Sequence, residues 1–412
     1  MKTRISLLFL ALLFIPVCTS GNNADNKLAT DSTQIEQKVE YKYQSLKRDS
    51  LPKGIARPFV WLGRYVTNSN KQEHKRFDCT ILGGPFFNSS SGLGIAGGVT
   101  GMYSWDRSDP TLQRSSVSVA FTAGLTGMMQ FGFRGNNFMK GDRYRWDYKL
   151  VLYYLPTRFW GIGYDRGLYD ENESKYTQLK FVFDPNFLIR VAPNLYMGPQ
   201  LDLMVSHAYD FENASDTLLV GERGLQNRDI NTFGAGLNIQ YDSRDFTLNA
   251  SRGHFFRIKQ MFYPKLLNDY YFNSTDITYS TYVRPYKSGI LAFEINGLYN
   301  YSSQNGEVPW TYLAKSGEGN RLRGYYEGRY RDNGIIQAQI ELRQHIWRRW
   351  GCALWVGGGN VFRNFESINF KQTLPSYGIG ARWEMKRRVN IRFDFGFTKN
   401  KPGFCFNIGE AF

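Results

Sequence analysis

The residues best able to do chemistry in this sequence lie in one stretch, "GNRLRGYYEGRYRDNG", at positions 319–334. It places four arginines and three tyrosines within sixteen positions. Arginine binds phosphate and tyrosine stacks on bases, so this composition is typical of a nucleic-acid-binding patch. Arginine also pairs with carboxylates in confined sites, which would instead predict a loop folded inside a larger structure. The segments around the stretch decide between these interpretations.

Residue arrangements typical of enzymes are missing from the sequence. The four histidines, at positions 74, 207, 254 and 345, lack the spacing of a metal-ligand set, and no nucleophile elbow or catalytic dyad is legible. "GLGIAG" (92–97) satisfies G-x-G-x-x-G, but it lacks the strand–helix context of a dinucleotide site. We therefore expect a non-enzyme with no cofactor and no metal site.

The first twenty residues have the order of a secretory signal: Lys2 and Arg4, an apolar run at 5–17, then small polar residues. Removal after Ser20 gives a signal peptide at 1–20, while lipid attachment at Cys18 is the alternative. For an exported chain of net charge +15, the anionic neighbours are lipid head groups and lipopolysaccharide phosphates. We expect those lipids as partners and no nucleic acid.

Composition favours strands over helices in the rest of the chain. Aromatic residues make up 16% of the 412 positions, and there are 41 glycines. Past residue 20 no apolar run approaches the roughly 18 residues of a spanning helix, which excludes a helical membrane protein. Residues 21–76 form a polar lead-in that is either disordered or contains a short helix. From 77 to 412 the hydrophobic period becomes two.

This alternation is clearest near the C-terminus. In "IIQAQIELRQHI" (335–346) one face carries Ile336, Ala338, Ile340 and Leu342, and the other carries Gln337, Gln339, Glu341, Arg343 and His345. Such runs last about ten residues, the length that a tilted strand needs to cross a bilayer. Turn signals divide 77–412 into about sixteen segments. The fold class is therefore all-β: a transmembrane antiparallel β-barrel of about 16 strands in a bacterial outer membrane.

The last segment, "KPGFCFNIGEAF", supports this location. Its apolar residues share one face by alternation and resemble the C-terminal signal by which outer-membrane barrels are recognised for insertion: Phe404, Phe406, Ile408 and Phe412. We expect all four to face outward.

"RLRGYYEGRYRDNG" followed by "IELR" resembles the signature of the BamA/TamA family of outer-membrane barrels (bacterial surface antigen domain), in their sixth extracellular loop. The segments "YLPTRFWGIGYD" (154–165), "YDSRDFTLNASRGHFFRI" (241–258) and "VGGGNVF" (356–362) resemble other parts of that barrel. The resemblance covers essentially all of residues 77–412. It implies that the loop tip folds into the lumen; the matching motif residues are Arg321, Leu322, Arg323, Gly324 and Tyr325.

The resemblance also implies partners for Arg323 on the inner wall. Glu341 matches the family's strand-12 glutamate, but the position of the strand-13 aspartate is Gly357 here. Arg323 then pairs either with Glu341 alone or with a substitute, Glu384 or Asp394, which alternation also places in the lumen. A planar guanidinium suits this role because it can bind two acceptors at once.

By resemblance, the function is to assist insertion or translocation of proteins, or of lipids, at the outer membrane. Weak pairing between strands 1 and 16 would form a lateral seam, and the glycines expected there are Gly83, Gly84, Gly403 and Gly409. Between the signal and residue 77 there is room for no POTRA domain. We therefore expect nascent outer-membrane proteins and a separate periplasmic protein as partners.

The alternative function is a passive, anion-favouring channel or a structural surface barrel. The lumen arginines that would favour anions are Arg143, Arg145, Arg343, Arg382 and Arg392. A soluble nucleic-acid-binding protein is disfavoured by the signal peptide and by the strand length.

Overall fold

The computed structural model describes Gly54, Arg57, Val60 and Arg64, and residues 77–88, 92–106, 108–109, 112–212, 228–247, 249–267, 270–302, 308–386 and 388–412. All of these belong to one compact unit, Lys42–Phe412. The predicted signal peptide and, apart from the four isolated positions, the predicted lead-in lie outside the described residues.

Sixteen antiparallel strands of the described chain form a closed barrel, which confirms the predicted fold class. Each strand pairs with its neighbours in chain order, and the last strand pairs with the first. The strands are β1 (Phe77–Asn88), β2 (Gly92–Tyr103), β3 (Ser115–Gly124), β4 (Met129–Phe138), β5 (Tyr144–Phe159), β6 (Ser174–Ala192), β7 (Leu195–Tyr209), β8 (Asp229–Asp242), β9 (Gly253–Tyr263), β10 (Phe272–Tyr286), β11 (Gly289–Tyr301), β12 (Gly334–Trp347), β13 (Trp350–Phe362), β14 (Leu374–Lys386), β15 (Val389–Thr398) and β16 (Gly403–Ile408).

The connections contain little regular structure. A short helix, α1 (Tyr164–Leu168), follows β5, and a two-residue ribbon joins Ala314–Lys315 to Arg331–Asp332 between β11 and β12. The 3-10 turns are Lys140–Asp142, Asp170–Asn172, Glu318–Asn320, Phe365–Ser367 and Phe370–Gln372. None of the helices in these described ranges is long and apolar enough to cross a membrane.

Alternation along each strand separates a lipid-facing surface from the lumen. On β12, Ile340 is 38% exposed while the adjacent Glu341 is 0% exposed. On β15, Phe395 is 41% exposed and Asp394 only 1%. Apolar side chains therefore cover the outside of the wall, where the bilayer lies, and polar side chains are enclosed inside it.

The connection between β11 and β12, residues 302–333, is called loop 6 here, and its described part (308–333) packs inside the barrel. Trp310 packs edge-on against Phe159 and Tyr176 of the wall. Leu322 and Tyr330 lie in a second buried cluster with wall residues of β12–β14. Burying a large apolar side chain contributes about 1.5–3 kcal/mol, so these contacts hold loop 6 in the lumen.

Candidate functional site

The tip of loop 6 lies directly against the inner wall at β15. Its backbone turns through two positive φ angles, +48° at Leu322 and +104° at Gly324. A Cβ at Gly324 would lie 2.9 Å from the carbonyl oxygen of Gly396 and 2.7 Å from Cγ2 of Thr398. Glycine is therefore required at this position both by the φ angle and by the close approach of the wall.

Arg323 is buried at this tip and binds three side chains. Its Nη1 donates to Glu341 Oε2 at 2.6 Å and to Asp394 Oδ2 at 3.0 Å. Nη2 donates to Gln339 Oε1 at 3.4 Å. The guanidinium carbon lies 3.9 Å from the ring centroid of Trp355, a cation–π contact. One planar side chain thus joins loop 6 to β12, β13 and β15.

Of the three acceptors considered in the sequence, Glu341 and Asp394 contact Arg323 and Glu384 does not. Glu384 lies near the β14–β15 turn, where its Oε1 accepts a hydrogen bond from the backbone N–H of Arg388 at 2.8 Å. Asp394 is therefore the second carboxylate that binds Arg323. A Cβ at Gly357 would lie 2.5 Å from the carbonyl oxygen of Ala338, so this position has no room for a side chain.

Arg323 belongs to a larger buried group, the arginine–carboxylate cluster. It contains four guanidiniums and three carboxylates: Arg323, Arg343, Arg382, Arg392, Glu341, Asp394 and Glu410. Every one of these side chains is at most 6% exposed. Ions so deeply buried are stable only when paired, and removal of one partner typically costs about 3–5 kcal/mol.

A second arginine of the motif makes its own ion pair. Arg321 Nε donates to Glu294 Oε1 at 2.7 Å, and its Nη2 donates to Oε2 at 3.3 Å. Glu294 lies on β11 and is 4% exposed. Sequence reasoning missed this acceptor, although alternation with the outward Phe293 and Ile295 places Glu294 in the lumen.

Two tyrosines and a further arginine of loop 6 form additional contacts with the rest of the barrel. Tyr325 OH donates to the carbonyl oxygen of Pro375 at 3.0 Å, and Tyr330 OH donates to Asn400 Oδ1 at 2.7 Å. Arg329 Nη1 lies 2.8 Å from Asp170 Oδ1 in the β5–β6 connection, and the same carboxylate pairs with Lys401 of the β15–β16 connection. Loop 6 is therefore attached to β14 and to two of the connections between strands.

The four residues after β16, Gly409–Phe412, turn into the lumen and are called the C-terminal tail. The turn occurs at Gly409, where φ is +93°. Glu410 then accepts hydrogen bonds from Arg382 Nε at 2.9 Å and Asn390 Nδ2 at 2.6 Å. Burial opposes ionisation of this carboxyl, but Arg343 and Arg382 outweigh it and hold the pKa of Glu410 below its ordinary value.

Phe412 corrects one prediction. Phe404 and Phe406 pack against Phe393 on the lipid-facing side, as expected, and the backbone of Ile408 pairs with Ile391. Phe412 instead lies inside the barrel, with its ring centroid 6.2 Å from that of Tyr282. Arg343 Nη2 donates to its main-chain oxygen at 2.8 Å. The positive φ at Gly409 breaks the strand alternation on which the prediction depended.

The seam between β1 and β16 is the weakest junction in the wall. β1 pairs with β2 at twelve positions, from Phe77 to Asn88, but with β16 at one, Asn88 opposite Cys405. The predicted seam glycines lie around this junction: Gly83 and Gly84 in β1, Gly403 at the start of β16 and Gly409 just after its end. From Phe77 to Phe87, the seam edge of β1 has no paired strand among the described residues.

These features, a barrel with a buried Arg-Gly loop tip and a weak terminal junction, agree with a family comparison. The model of the Omp85 superfamily domain matches residues 113–412. The chain belongs to the Omp85 superfamily. Family membership and the outer-membrane location are thus confirmed, in agreement with the resemblance seen in the sequence.

Two solved Omp85-type structures show the same fold. BamA from Haemophilus ducreyi lacking POTRA domains 1-3 superposes with a TM-score of 0.54 at 14% identity, covering 81% of this chain and 70% of that one. CdiB from Acinetobacter baumannii superposes with a TM-score of 0.50 at 12% identity, covering 81% of this chain and 60% of that one. No curated protein matches the sequence.

In this Omp85 barrel, most of the five arginines that would line an anion-favouring channel already form ion pairs. Arg343, Arg382 and Arg392 belong to the arginine–carboxylate cluster, and Arg145 binds Asp142 at 2.8 Å. Arg143 is exposed and lies 5.5 Å from the ring of Tyr144. Because four of the five guanidiniums are already paired with carboxylates, they do not form a free cationic lining.

Proposed function

We propose that this Omp85 protein assists the insertion or translocation of proteins at the outer membrane, and that substrates engage the edge of β1 at the seam. The observation that carries the proposal is the single pair, Asn88 with Cys405, that joins the two terminal strands. Membership of the Omp85 superfamily supports the same class of function.

Unpaired backbone groups along the seam raise the free energy of the barrel, and this cost is the physical argument that the seam has a function. Backbone N–H and C=O groups without partners cost several kcal/mol each in the hydrocarbon region, which is why membrane barrels are closed. A strand edge with unpaired groups is also a template that accepts another extended chain by β-augmentation. The edge of β1 from Phe77 to Phe87 therefore suits a substrate strand that arrives from the lumen or from the membrane.

The C-terminal tail keeps this edge available. If β16 continued beyond Ile408 as a strand, it would run alongside β1 and extend the pairing that starts at Asn88. Instead Gly409 turns the chain inward, and Glu410 is held by Arg382 and Asn390. In the proposed cycle, the tail stays in the lumen while a substrate strand occupies the space beside β1.

Loop 6 braces the wall during this exchange. Arg323, Arg321 and Arg329 tie it to β12, β11 and the β5–β6 connection respectively. Loop 6 also contacts β15 through Asp394 and β16 through Asn407, whose Nδ2 donates to Asn320 Oδ1 at 3.3 Å, whereas none of these bonds reaches β1. We infer that the wall opens between β1 and β16 while loop 6 holds the strands on the β16 side in register.

Quantitative proteomics of the outer membrane after depletion of this protein tests the proposal. We expect a defined set of barrels or surface proteins to decrease while other outer-membrane proteins keep their abundance. That set would name the substrates. Unchanged protein content would overturn the proposal, and the passive-channel or lipid interpretation would replace it.

A further inference from the structure

A cavity of about 720 Å³ lies in the lumen beside loop 6. This volume falls within the roughly 300–1,000 Å³ of small-molecule sites. At one end the cavity reaches the seam, where it is lined by Phe86 of β1 and by Asn407 of β16. The cavity therefore borders the junction at which the barrel wall is weakest.

Six cationic side chains line this cavity, and two of them have partners: Lys259 lies 3.7 Å from Asp184, and Arg331 donates to the carbonyl oxygens of Gly328 and Arg158. The other four are Arg134 on β4, Lys149 on β5, Lys180 on β6 and Lys315 on loop 6. Arg134 and Lys149 stand directly opposite each other in the β4–β5 register. Lys180 acts electrostatically on Lys149, and Lys315 acts on Lys180. Like charges placed opposite each other destabilise a sheet, so this arrangement has a cost that packing alone does not explain.

These four cations have no ion pair or hydrogen bond with any residue in the described part of the chain. Three carboxylates that line the same cavity are engaged elsewhere: Asp184 with Gln200 and Lys259, Asp202 with Tyr263 and Tyr312, and Asp276 with Arg257 and Asn296. These three carboxylates therefore form no ion pair with the four cations.

Loop 6 supplies the two remaining carboxylates of the cavity, Glu318 and Glu327. Glu318 acts electrostatically on Lys149, Lys180 and Lys315, yet it forms no ion pair with them. Burial and the neighbouring Arg331 lower the pKa of Lys315, as expected where cations are in excess. Glu327 also acts electrostatically on Lys180 and Lys315, so the two loop carboxylates partly offset the charge, while Glu318 leaves room for a bound anion because it makes no ion pair with the four cations.

We propose that Arg134, Lys149, Lys180 and Lys315 form a binding site for a phosphate-class anion, and that its natural ligand is the phosphate headgroup of a lipid admitted through the seam. Guanidinium and ammonium groups are the usual ligands of phosphate oxygens. The lining between the seam and Arg134 is uncharged, with Ala96, Thr122 and Gln130, and so offers a path to the cations. The site goes beyond the proposed function and does not depend on protein insertion.

Calorimetric titration with inorganic phosphate, on the full barrel in a non-ionic detergent, tests the anion site. The double variant Lys149→Gln/Lys180→Gln should weaken binding by about tenfold or more, because two charge-assisted contacts are lost. Glu318→Gln should tighten binding by about threefold, because it removes the carboxylate that competes with the ligand. Lys259→Gln is the matched control: it lines the same cavity but lies 3.7 Å from Asp184, and it should change little.

Lipid retention distinguishes the source of the phosphate. The barrel is placed in nanodiscs of phosphatidylcholine with phosphatidylglycerol, and the lipids that stay bound are counted by native mass spectrometry. Preferential retention of phosphatidylglycerol, lost in Lys149→Gln/Lys180→Gln, supports the headgroup. Phosphate binding without that retention overturns the lipid source and leaves a free-anion site. No phosphate binding, or binding equal in wild type and the double variant, overturns the whole proposal.

Discussion

Arg382 Nη1 donates to Asp394 Oδ1 at 2.6 Å, and this ion pair links loop 6 to the C-terminal tail. The other oxygen of Asp394 accepts from Arg323 at the loop tip, and Nε of Arg382 donates to Glu410 in the tail. Loop 6 and the C-terminal tail therefore share this guanidinium–carboxylate pair, and a second link runs from Arg323 through Glu341 and Arg343 to the main-chain oxygen of Phe412. Neither can leave its position without changing the charge balance around the other.

Replacing Arg323 with Ala should free the loop tip. The variant loses hydrogen bonds to Glu341 and Asp394 and the contact with Trp355, so loop 6 should open more often. We expect chymotrypsin added outside intact cells to cleave after the loop tyrosines about tenfold faster, a change equal to about 1.4 kcal/mol. Arg323→Lys should restore little, because an ammonium cannot reproduce the planar guanidinium. Equal cleavage of wild type, Arg323→Ala and the exposed-loop control Arg363→Ala would contradict the inward anchoring of loop 6.

Replacing Gly324 with Ala should displace the same tip by a different cause. The new Cβ would meet the Gly396 carbonyl and Thr398, and φ there is +104°. We expect a cost of about 1–3 kcal/mol, measured as a lower temperature at which the folded barrel converts to the unfolded form on gels. Gly141→Ala is the control, since φ is also positive but nothing lies within 4 Å of the added carbon. Equal conversion temperatures for Gly324→Ala and Gly141→Ala would contradict the requirement for glycine at position 324.

Loop 6 and the tail should be energetically coupled through Arg382 and Asp394. The measurement is a double-mutant cycle on the gel-conversion temperature with Arg323→Ala, Glu410→Gln and the combined variant. We expect the two effects to depart from additivity by about 0.5–3 kcal/mol, as is usual for residues in one ion-pair network. Additive effects would mean that the shared ion pair transmits nothing between the two segments.

Glu410 should make the stability of the tail dependent on pH. Arg343 and Arg382 hold its pKa below the ordinary 4.5, so its stabilisation is complete above pH 4.5 and is lost as pH falls through the lower folded value. At pH 7 the wild-type barrel should therefore convert to the unfolded form on gels at a higher temperature than Glu410→Gln. We expect the paired carboxylate to stabilise the folded barrel by about 3 kcal/mol. The gap between them should narrow below pH 4.5. A constant gap, or an equal effect of Glu366→Gln in the exposed β13–β14 connection, would refute this role.

The barrel itself could be predicted from the sequence because lipid on one side and lumen on the other impose a strict period of two on each strand. Loop 6 could be placed because its Arg-Gly tip resembles a known signature. The choice between Asp394 and Glu384 could not, since both face the lumen by alternation and only the register of β14 and β15 decides which reaches Arg323. The inward Phe412 was unpredictable for a related reason: one positive φ at Gly409 ends the alternation. Glu294 was within reach of alternation but was overlooked. Glu410 was not, because alternation places it on the outward face with Phe404 and Phe406 until Gly409 turns the chain inward.

The central claim, that the seam between β1 and β16 must open, is tested most directly by locking it. Asn88→Cys, in a background of Cys79→Ala and Cys352→Ala, places a thiol opposite the native Cys405 in the one pair that joins the strands. Directly opposed residues of antiparallel strands have the separation that a disulfide requires. The control is Thr100→Cys/Ser118→Cys with Cys405→Ala added, a pair within the continuous β2–β3 ladder.

Each variant replaces the depleted wild-type protein, and the outer-membrane proteome is measured with and without reductant. We expect the oxidised seam variant to lose the same set of proteins as depletion does, reductant to restore them, and the β2–β3 control to behave as wild type. Full support of the outer-membrane proteome by the disulfide-locked seam would contradict the account.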